Sequence, residues 1–186
     1  MSSESDFEAL LLAAREGEAW ALTSLFRSLY PRLRRYLASL DPNEGEDLAS
    51  ETWLDLIGGL ARFDGDETAL RAFAFTIAVR RLADLRRRRR RQRTDPQDPG
   101  GLAELASTGD VENEALESIG TTMALQTIVC SLPREQAEVI MLRVIGQLDA
   151  ETVGTILGKR PGTVRVMQHR ALRRLASVLE LEGVTR

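Results

Sequence analysis

Six cations lie within eighteen residues near the C-terminus. The segment GKRPGTVRVMQHRALRRL, Gly158 to Leu175, carries Lys159, Arg160, Arg165, Arg170, Arg173 and Arg174 and no carboxylate. Guanidinium groups at this density suit one kind of chemistry, chelating guanine edges and neutralising phosphates. A helix presents them together if Val164, Met167, Ala171, Leu172 and Leu175, spaced three and four apart, turn inward. Thr163 and Arg165 then lie where a recognition helix meets bases, with His169, Arg170 and Arg173 following. A structural helix with a solvated cationic face fits the same residues. A second run, Arg86 to Arg91, follows LRAFAFTIAVRRLADLRR, in which Phe73 and Phe75 stand near Arg71, Arg80 and Arg81. Aromatics beside cations can stack on an unpaired base while tracking a nucleic-acid backbone. The competing reading is a solvated helix end whose arginines offset the helix dipole, with both rings in a core.

Covalent chemistry has little to work with. Cys130 and His169 are the single cysteine and histidine, too few for a disulfide, a multi-cysteine metal site or an obvious nucleophilic pair. There is no glycine-rich phosphate loop, and no paired carboxylates stand in a defensible pocket, so neither an enzyme nor a cofactor is expected. The apolar run Ala9 to Ala14 is far short of the roughly 20 residues a membrane span needs. The acidic start, with Glu4, Asp6 and Glu8, is unlike a secretory leader. Cytoplasmic residence is the expectation.

The net charge of -3 conceals four blocks of alternating sign. Asp41 to Glu67 carries a local -8, Arg71 to Arg93 +9, Thr94 to Ile119 -7, and Gly158 to Leu175 +6. Two cationic patches able to meet a polyanion are thus separated by acidic segments.

The elements that must position these patches read as helices throughout, so the expected fold class is all-α. Apolar periodicity places helices over Asp6–Glu16, ending at Gly17, and Trp20–Leu40, where Pro31 kinks the helix or begins another. Others cover Glu44–Ile57, before Gly58-Gly59, and Leu70–Arg91, with Phe73, Ile77, Leu82 and Leu85 inward. Gln92 to about Asn113, with Pro96, Pro99 and five acids, reads as a flexible linker. Helices resume at Glu114–Cys130 and Pro133–Ile145. Asp149 then caps Ala150–Leu157, and Gly158–Pro161 turns into a final helix from Gly162 to about Leu179. Two helices joined by about four residues, the second cationic, make a helix-turn-helix.

Two long segments carry a family resemblance. EDLASETWLDLIGGLARFDGDETALRAFAFTIAVRRLADLRRRR resembles region two, and LPREQAEVIMLRVIGQLDAETVGTILGKRPGTVRVMQHRALRRL region four, of the extracytoplasmic-function (ECF) sigma factors, group IV of the sigma-70 family. The resemblance spans about Leu22 to Leu179. It implies a region-two bundle over residues 1–92, an acidic linker over 93–113 and a region-four helix-turn-helix domain over 114–186. The implied function is an alternative sigma factor that binds RNA polymerase core, recognises −10 and −35 promoter elements and promotes melting. Asp47, Leu48, Glu51 and Leu56, with Glu46, resemble the surface that docks on the polymerase clamp; a flap contact is expected as well. The segment with Arg71, Phe73, Phe75, Arg80, Arg81 and Asp84 resembles the part that melts the −10 element and holds a flipped base. Phe73 stands where the family commonly has Trp, and Arg80 where it has Asn. Thr163, Arg165, His169, Arg170 and Arg173 fall at −35-reading positions, while Met167 and Gln168 replace a common Arg and Leu. An anti-sigma partner is the further family expectation.

Geometry permits one promoter to engage both patches. About 24 linker residues reach roughly 80 Å when extended, against about 70 Å for two turns of DNA. Two other readings use the same residues. A stand-alone helix-turn-helix regulator would bind its operator tightly without polymerase and dimerise. A helical adaptor that binds only protein would leave two cationic blocks repelling each other without gain.

Overall fold

The computed structural model describes residues 2–94 and 125–181, and every regular element among them is helical. The N-terminal half contains α1 (Ser2–Arg15), α2 (Ala19–Leu40), α3 (Gly45–Leu60) and α4 (Glu67–Thr94). The C-terminal half contains α5, described over residues 125–130, then α6 (Arg134–Val144), α7 (Ala150–Leu157) and α8 (Pro161–Leu181). Residues 95–113 of the expected linker, and the start of the helix expected at Glu114, lie outside the described residues.

Local chemistry sets most boundaries. Gly17 ends α1 in the left-handed region at φ 83°, where a Cβ would be strained. α2 runs through Pro31 without a break, so this proline continues the helix rather than starting another. α3 likewise passes Gly58-Gly59 and stops at Leu60. It begins at Gly45 because a Cβ there would lie 2.4 Å from the Ala38 Cα. Only glycine lets α3 start this close to the end of α2.

α2 is the centre of the N-terminal half, with α1, α3 and α4 packed on it. Its buried Leu25, Leu29, Leu33 and Leu37 follow the helical repeat. Phe26 is 38% exposed and stacks on Tyr30 at 4.4 Å, with Trp53 edge-on at 5.1 Å. Tyr36 and Phe75, both buried, meet edge to face at 5.4 Å, a geometry worth about 0.5–1.5 kcal/mol beyond area burial.

The two halves pack against each other, α4 on α7 and α2 on α6. Their apolar interiors are continuous, from Leu82 and Leu85 to Val139, Leu148 and Val153. Polar groups mark the joint too. Arg86 pairs with Glu138, the side chains 20% and 15% exposed, and Gln126 Nε2 donates to the Ala38 carbonyl at 3.1 Å. Burial, followed by the nearby Glu138 charge, pushes the Tyr36 phenol well above its usual range.

Candidate nucleic-acid interface

The helix-turn-helix is built from local signals. The Asp149 carboxylate accepts from the Thr152 N–H at 2.7 Å, capping α7; this bond holds Asp149 below the usual carboxylate range. Gly158 closes α7 in the left-handed conformation, φ 63°. The turn then doubles back, the Lys159 N–H donating to the Gly154 carbonyl at 2.8 Å, and Pro161 occupies the first position of α8, where its missing N–H costs nothing.

Three side-chain ties fix α8 and the turn before it against the rest of the C-terminal half. Lys159 Nζ pairs with Glu135 Oε2 at 2.9 Å. Arg143 Nε donates to Gln168 Oε1 at 2.9 Å while its Nη1 donates to the Leu148 carbonyl. Arg174 Nε donates to the Ser131 carbonyl at 3.0 Å. Gln168 is therefore an internal strut. Its neighbour Met167 packs half-buried on the core, so the two departures from the family pattern leave the phase of the helix intact. Val164 and Ala171 are buried and Leu175 half-buried. Leu172 is a correction: expected inward, it is 50% exposed.

Thr163, Arg165, His169, Arg170 and Arg173 all lie exposed on α8. Among the described residues no carboxylate pairs with these arginines, whereas the neighbouring Lys159 is engaged. The result is an uncompensated cationic face on a helix narrow enough for a major groove.

The second surface lies between α3 and α4. The exposed face of α3 presents Glu46, Asp47, Ser50, Glu51, Leu54, Asp55 and Gly58, at the three- and four-residue steps of one helix face. Two of the expected docking residues are not on it. Leu48 is 3% exposed and Leu56 fully buried; both pack into the core because the α2 and α4 contacts claim that side of α3. Leu54, 70% exposed, supplies the apolar group instead. It stands three residues after Glu51, a spacing that could have revealed it.

An open groove of about 740 Å³ runs between α3 and α4, lined in part by Gly59, Phe73, Ile77, Arg80, Arg81 and Arg88. That volume is within the roughly 300–1,000 Å³ of small-ligand clefts and ample for a nucleobase. Phe73 is half-buried over Gly59 and stacks on Phe63 at 5.7 Å, 20° between planes. Phe75 is a further correction. It is fully buried against Tyr36, two residues beyond Phe73 and so on the opposite side of α4, where no base can reach it.

Several cations of α4, unlike Arg165, Arg170 and Arg173 of α8, have carboxylate partners among the described residues. Arg71 pairs with Glu67 at 2.8 Å and Asp84 with Arg87 at 3.2 Å. Arg81 Nε donates to Asp55 Oδ2 at 2.7 Å, and its Nη1 meets Glu51 Oε2. Arg89 bridges Asp41 and Glu44; burial alone would lower its pKa, but the bonds to Asp41 and Glu44 outweigh that and raise it. Arg80 and Arg88 are exposed beside the groove and pair with no carboxylate among the described residues. The arginine run is thus neither wholly solvated nor wholly free. Asp55 and Glu138, which hold Arg81 and Arg86, carry no sequence signal for those pairings, since the partners are 26 and 52 residues away.

Comparison with known proteins adds the following. Residues 25–92 match the family Sigma-70 region 2, and residues 122–175 match Sigma-70, region 4. The ECF RNA polymerase sigma factor ShbA of Streptomyces griseus is 36% identical over 187 residues, covering 92% of this chain and 94% of that protein. The ECF RNA polymerase sigma factor SigD of Mycobacterium tuberculosis is 30% identical, covering 95% and 85% respectively. Among solved structures, the sigma factor RpoE of Bartonella quintana, in complex with the anti-sigma factor NepR, aligns with a TM-score of 0.64 at 23% identity over 88% of this chain and 98% of that one. CnrH, in complex with the cytosolic domain of CnrY, aligns at 0.61 with 20% identity, covering 94% and 97%. These two alignments show a shared fold.

Proposed function

The chain belongs to the ECF sigma factors of the sigma-70 family, and from that premise we propose how its residues divide the work. It is an alternative sigma factor for transcription initiation, acting with RNA polymerase and promoter DNA. We assign residues 1–92 to core docking and the −10 element, 93–113 to the linker, and 114–186 to the −35 element.

The observation that carries this division is the contrast in charge pairing between the two cationic helices. The α8 arginines Arg165, Arg170 and Arg173 have no carboxylate partners among the described residues, which suits a face held ready for duplex DNA. Arg165 and Thr163, at the start of α8, meet base edges, while Arg170 and Arg173, with His169, follow the backbone. On the α3–α4 side, Phe73, Arg80 and Arg88 border a groove that admits one unpaired base, with Phe73 as wall and the arginines toward phosphates. Asp47, Glu51 and Leu54 on α3 form an acidic face with one exposed apolar anchor, complementary to a basic polymerase surface.

Mechanism follows from the joint. α4 touches α7, and α7 packs on α8, so the two DNA-facing helices lie much closer than the roughly 70 Å covered by two turns of DNA. Simultaneous engagement of both elements requires α4 and α7 to part, with the linker spanning the distance. The protein contributes recognition and strand separation, and bond-forming chemistry belongs to the polymerase. Cytoplasmic residence accords with this role, and among the described residues no helix is long and apolar enough to cross a membrane. An anti-sigma partner is part of the proposal, since both solved relatives of this fold named above are complexes, one of them with a named anti-sigma factor.

Transcription in vitro tests the reading. Purified chain with bacterial core polymerase on genomic DNA of the source organism should give discrete start sites sharing upstream motifs, lost with Arg165→Ala or Asp47→Ala. No starts, with tight DNA binding in the absence of core, would overturn it.

A further inference from the structure

Arg81 stands at the meeting point of the two surfaces on the N-terminal half. It lies on α4, beside Arg80 and in the same groove as Arg88. Yet its guanidinium is turned across the groove, Nε to Asp55 and Nη1 to Glu51. These carboxylates are one turn apart on the exposed face of α3. All three side chains remain partly accessible, at 28% for Arg81, 51% for Glu51 and 49% for Asp55. The cation that would complete a track with Arg80 and Arg88 is therefore occupied by acids of the docking face.

We propose that Arg81 is an exchangeable cation: Glu51 and Asp55 hold it in the protein alone, and a basic polymerase surface docking on those carboxylates releases it to a DNA phosphate. The inference rests on the reading of α3 as docking face and α4 as −10 surface. Exposed ion pairs of this kind are weak, so exchange of partners costs little. Arginine suits the exchange because its planar fork serves a carboxylate pair and a phosphate equally well. Docking also changes the groove as a whole. With Glu51 and Asp55 neutralised from outside, the one remaining acid among the described residues lining the groove is Asp84, which Arg87 already pairs. Linkage makes the effect reciprocal: DNA that captures Arg81 frees two carboxylates and raises affinity for the polymerase by the same factor. The α8 face, with no carboxylates on its arginines among the described residues, needs no such release.

The test uses the full chain without polymerase and a fluorescent oligo(dT) of roughly 12 nucleotides, a length one single-strand site occupies. Anisotropy across a salt series is compared for wild type, Glu51→Gln/Asp55→Asn, Arg81→Ala and the triple variant, with helicity checked by circular dichroism. Neutralising the acids should tighten binding by about fivefold and steepen the log–log salt slope by about 0.7, one added single-strand phosphate contact. In the Arg81→Ala background the slope should stay constant and the gain should shrink. Equal gains and slopes in both backgrounds, or no gain in either, would overturn the exchange, since long-range charge or an immobile Arg81 then suffices. Binding to core polymerase, measured on the same variants, separates this inference from the docking assignment. Arg81→Ala should bind core at least as tightly as wild type, and Glu51→Gln/Asp55→Asn more weakly. Unchanged core binding by the acid variant would overturn α3 docking, while the salt slopes still decide whether Arg81 exchanges partners.

Discussion

Removing the Glu138 carboxylate should open the joint between the two halves. Glu138, on α6, faces Arg86, on α4, and the pair is about four-fifths shielded, with side chains 15% and 20% exposed. Breaking a fully buried pair from one side costs about 3–5 kcal/mol, and an exposed pair contributes at most about 1 kcal/mol. This intermediate case is worth about 2 kcal/mol on interpolation between those limits. Arg134, whose Nε lies 3.2 Å from the same oxygen, is 61% exposed and returns to water at little cost. About 2 kcal/mol corresponds to roughly thirtyfold in the closing equilibrium. The native exposed Cys130 and an introduced cysteine, Thr76→Cys on the exposed side of α4, supply two spin-label sites, one in each half. Pulsed dipolar distances should show one narrow population in the otherwise native chain and a broad, longer one with Glu138→Ala. Removing both partners, Arg86→Ala with Glu138→Ala, should restore part of the narrow population, because no unpaired charge is left in the joint. A Glu138→Ala distribution that superimposes on the parent's would refute the argument and place the cohesion of the joint in its apolar contacts.

Substitution on α3 should separate docking from folding. Leu54→Ala should weaken binding to core polymerase while shifting stability by less than about 0.5 kcal/mol, whereas Leu48→Ala should cost about 2–5 kcal/mol in urea unfolding. Gly45→Ala should destabilise the N-terminal half by about 1–3 kcal/mol or more, because the added Cβ meets the backbone of α2, which has no rotamer to yield; equal unfolding midpoints would show that α3 can shift. Asp149→Ala should cost about 1 kcal/mol near neutral pH through the lost cap. Since the folded Asp149 carboxyl sits below the usual carboxylate range, its contribution is present above about pH 4 and fades as pH falls through the folded value. The difference between wild type and Asp149→Ala, followed by thermal melts, should therefore shrink in acid; a difference that stays constant would argue against the cap.

Features whose causes lie within one turn of chain are legible in the residues themselves. Asp149 caps α7 because its carboxylate reaches an N–H three residues on, and Gly158 ends α7 because the chain must turn left-handed there. Charge blocks, helix positions and the cationic identity of α8 belong to the same class, as do the two segments that resemble sigma regions two and four. The phase of each helix against its neighbours required the packed structure. On α3, Leu48, Leu54 and Leu56 are equally apolar, and only the approach of α2 and α4 determines that Leu54 faces water. On α4, Phe73 and Phe75 are chemically identical, yet one borders a groove and the other fills the core. The pairings of Arg81 with Asp55 and of Arg86 with Glu138 lie further still from sequence patterns, because helical periodicity relates residues three and four apart and these pairs span 26 and 52. Composition and local spacing thus determined which groups the protein owns and which helices carry them. The tertiary structure alone decided which cations are held by carboxylates and which face outward, since that depends on how helices far apart in sequence come together.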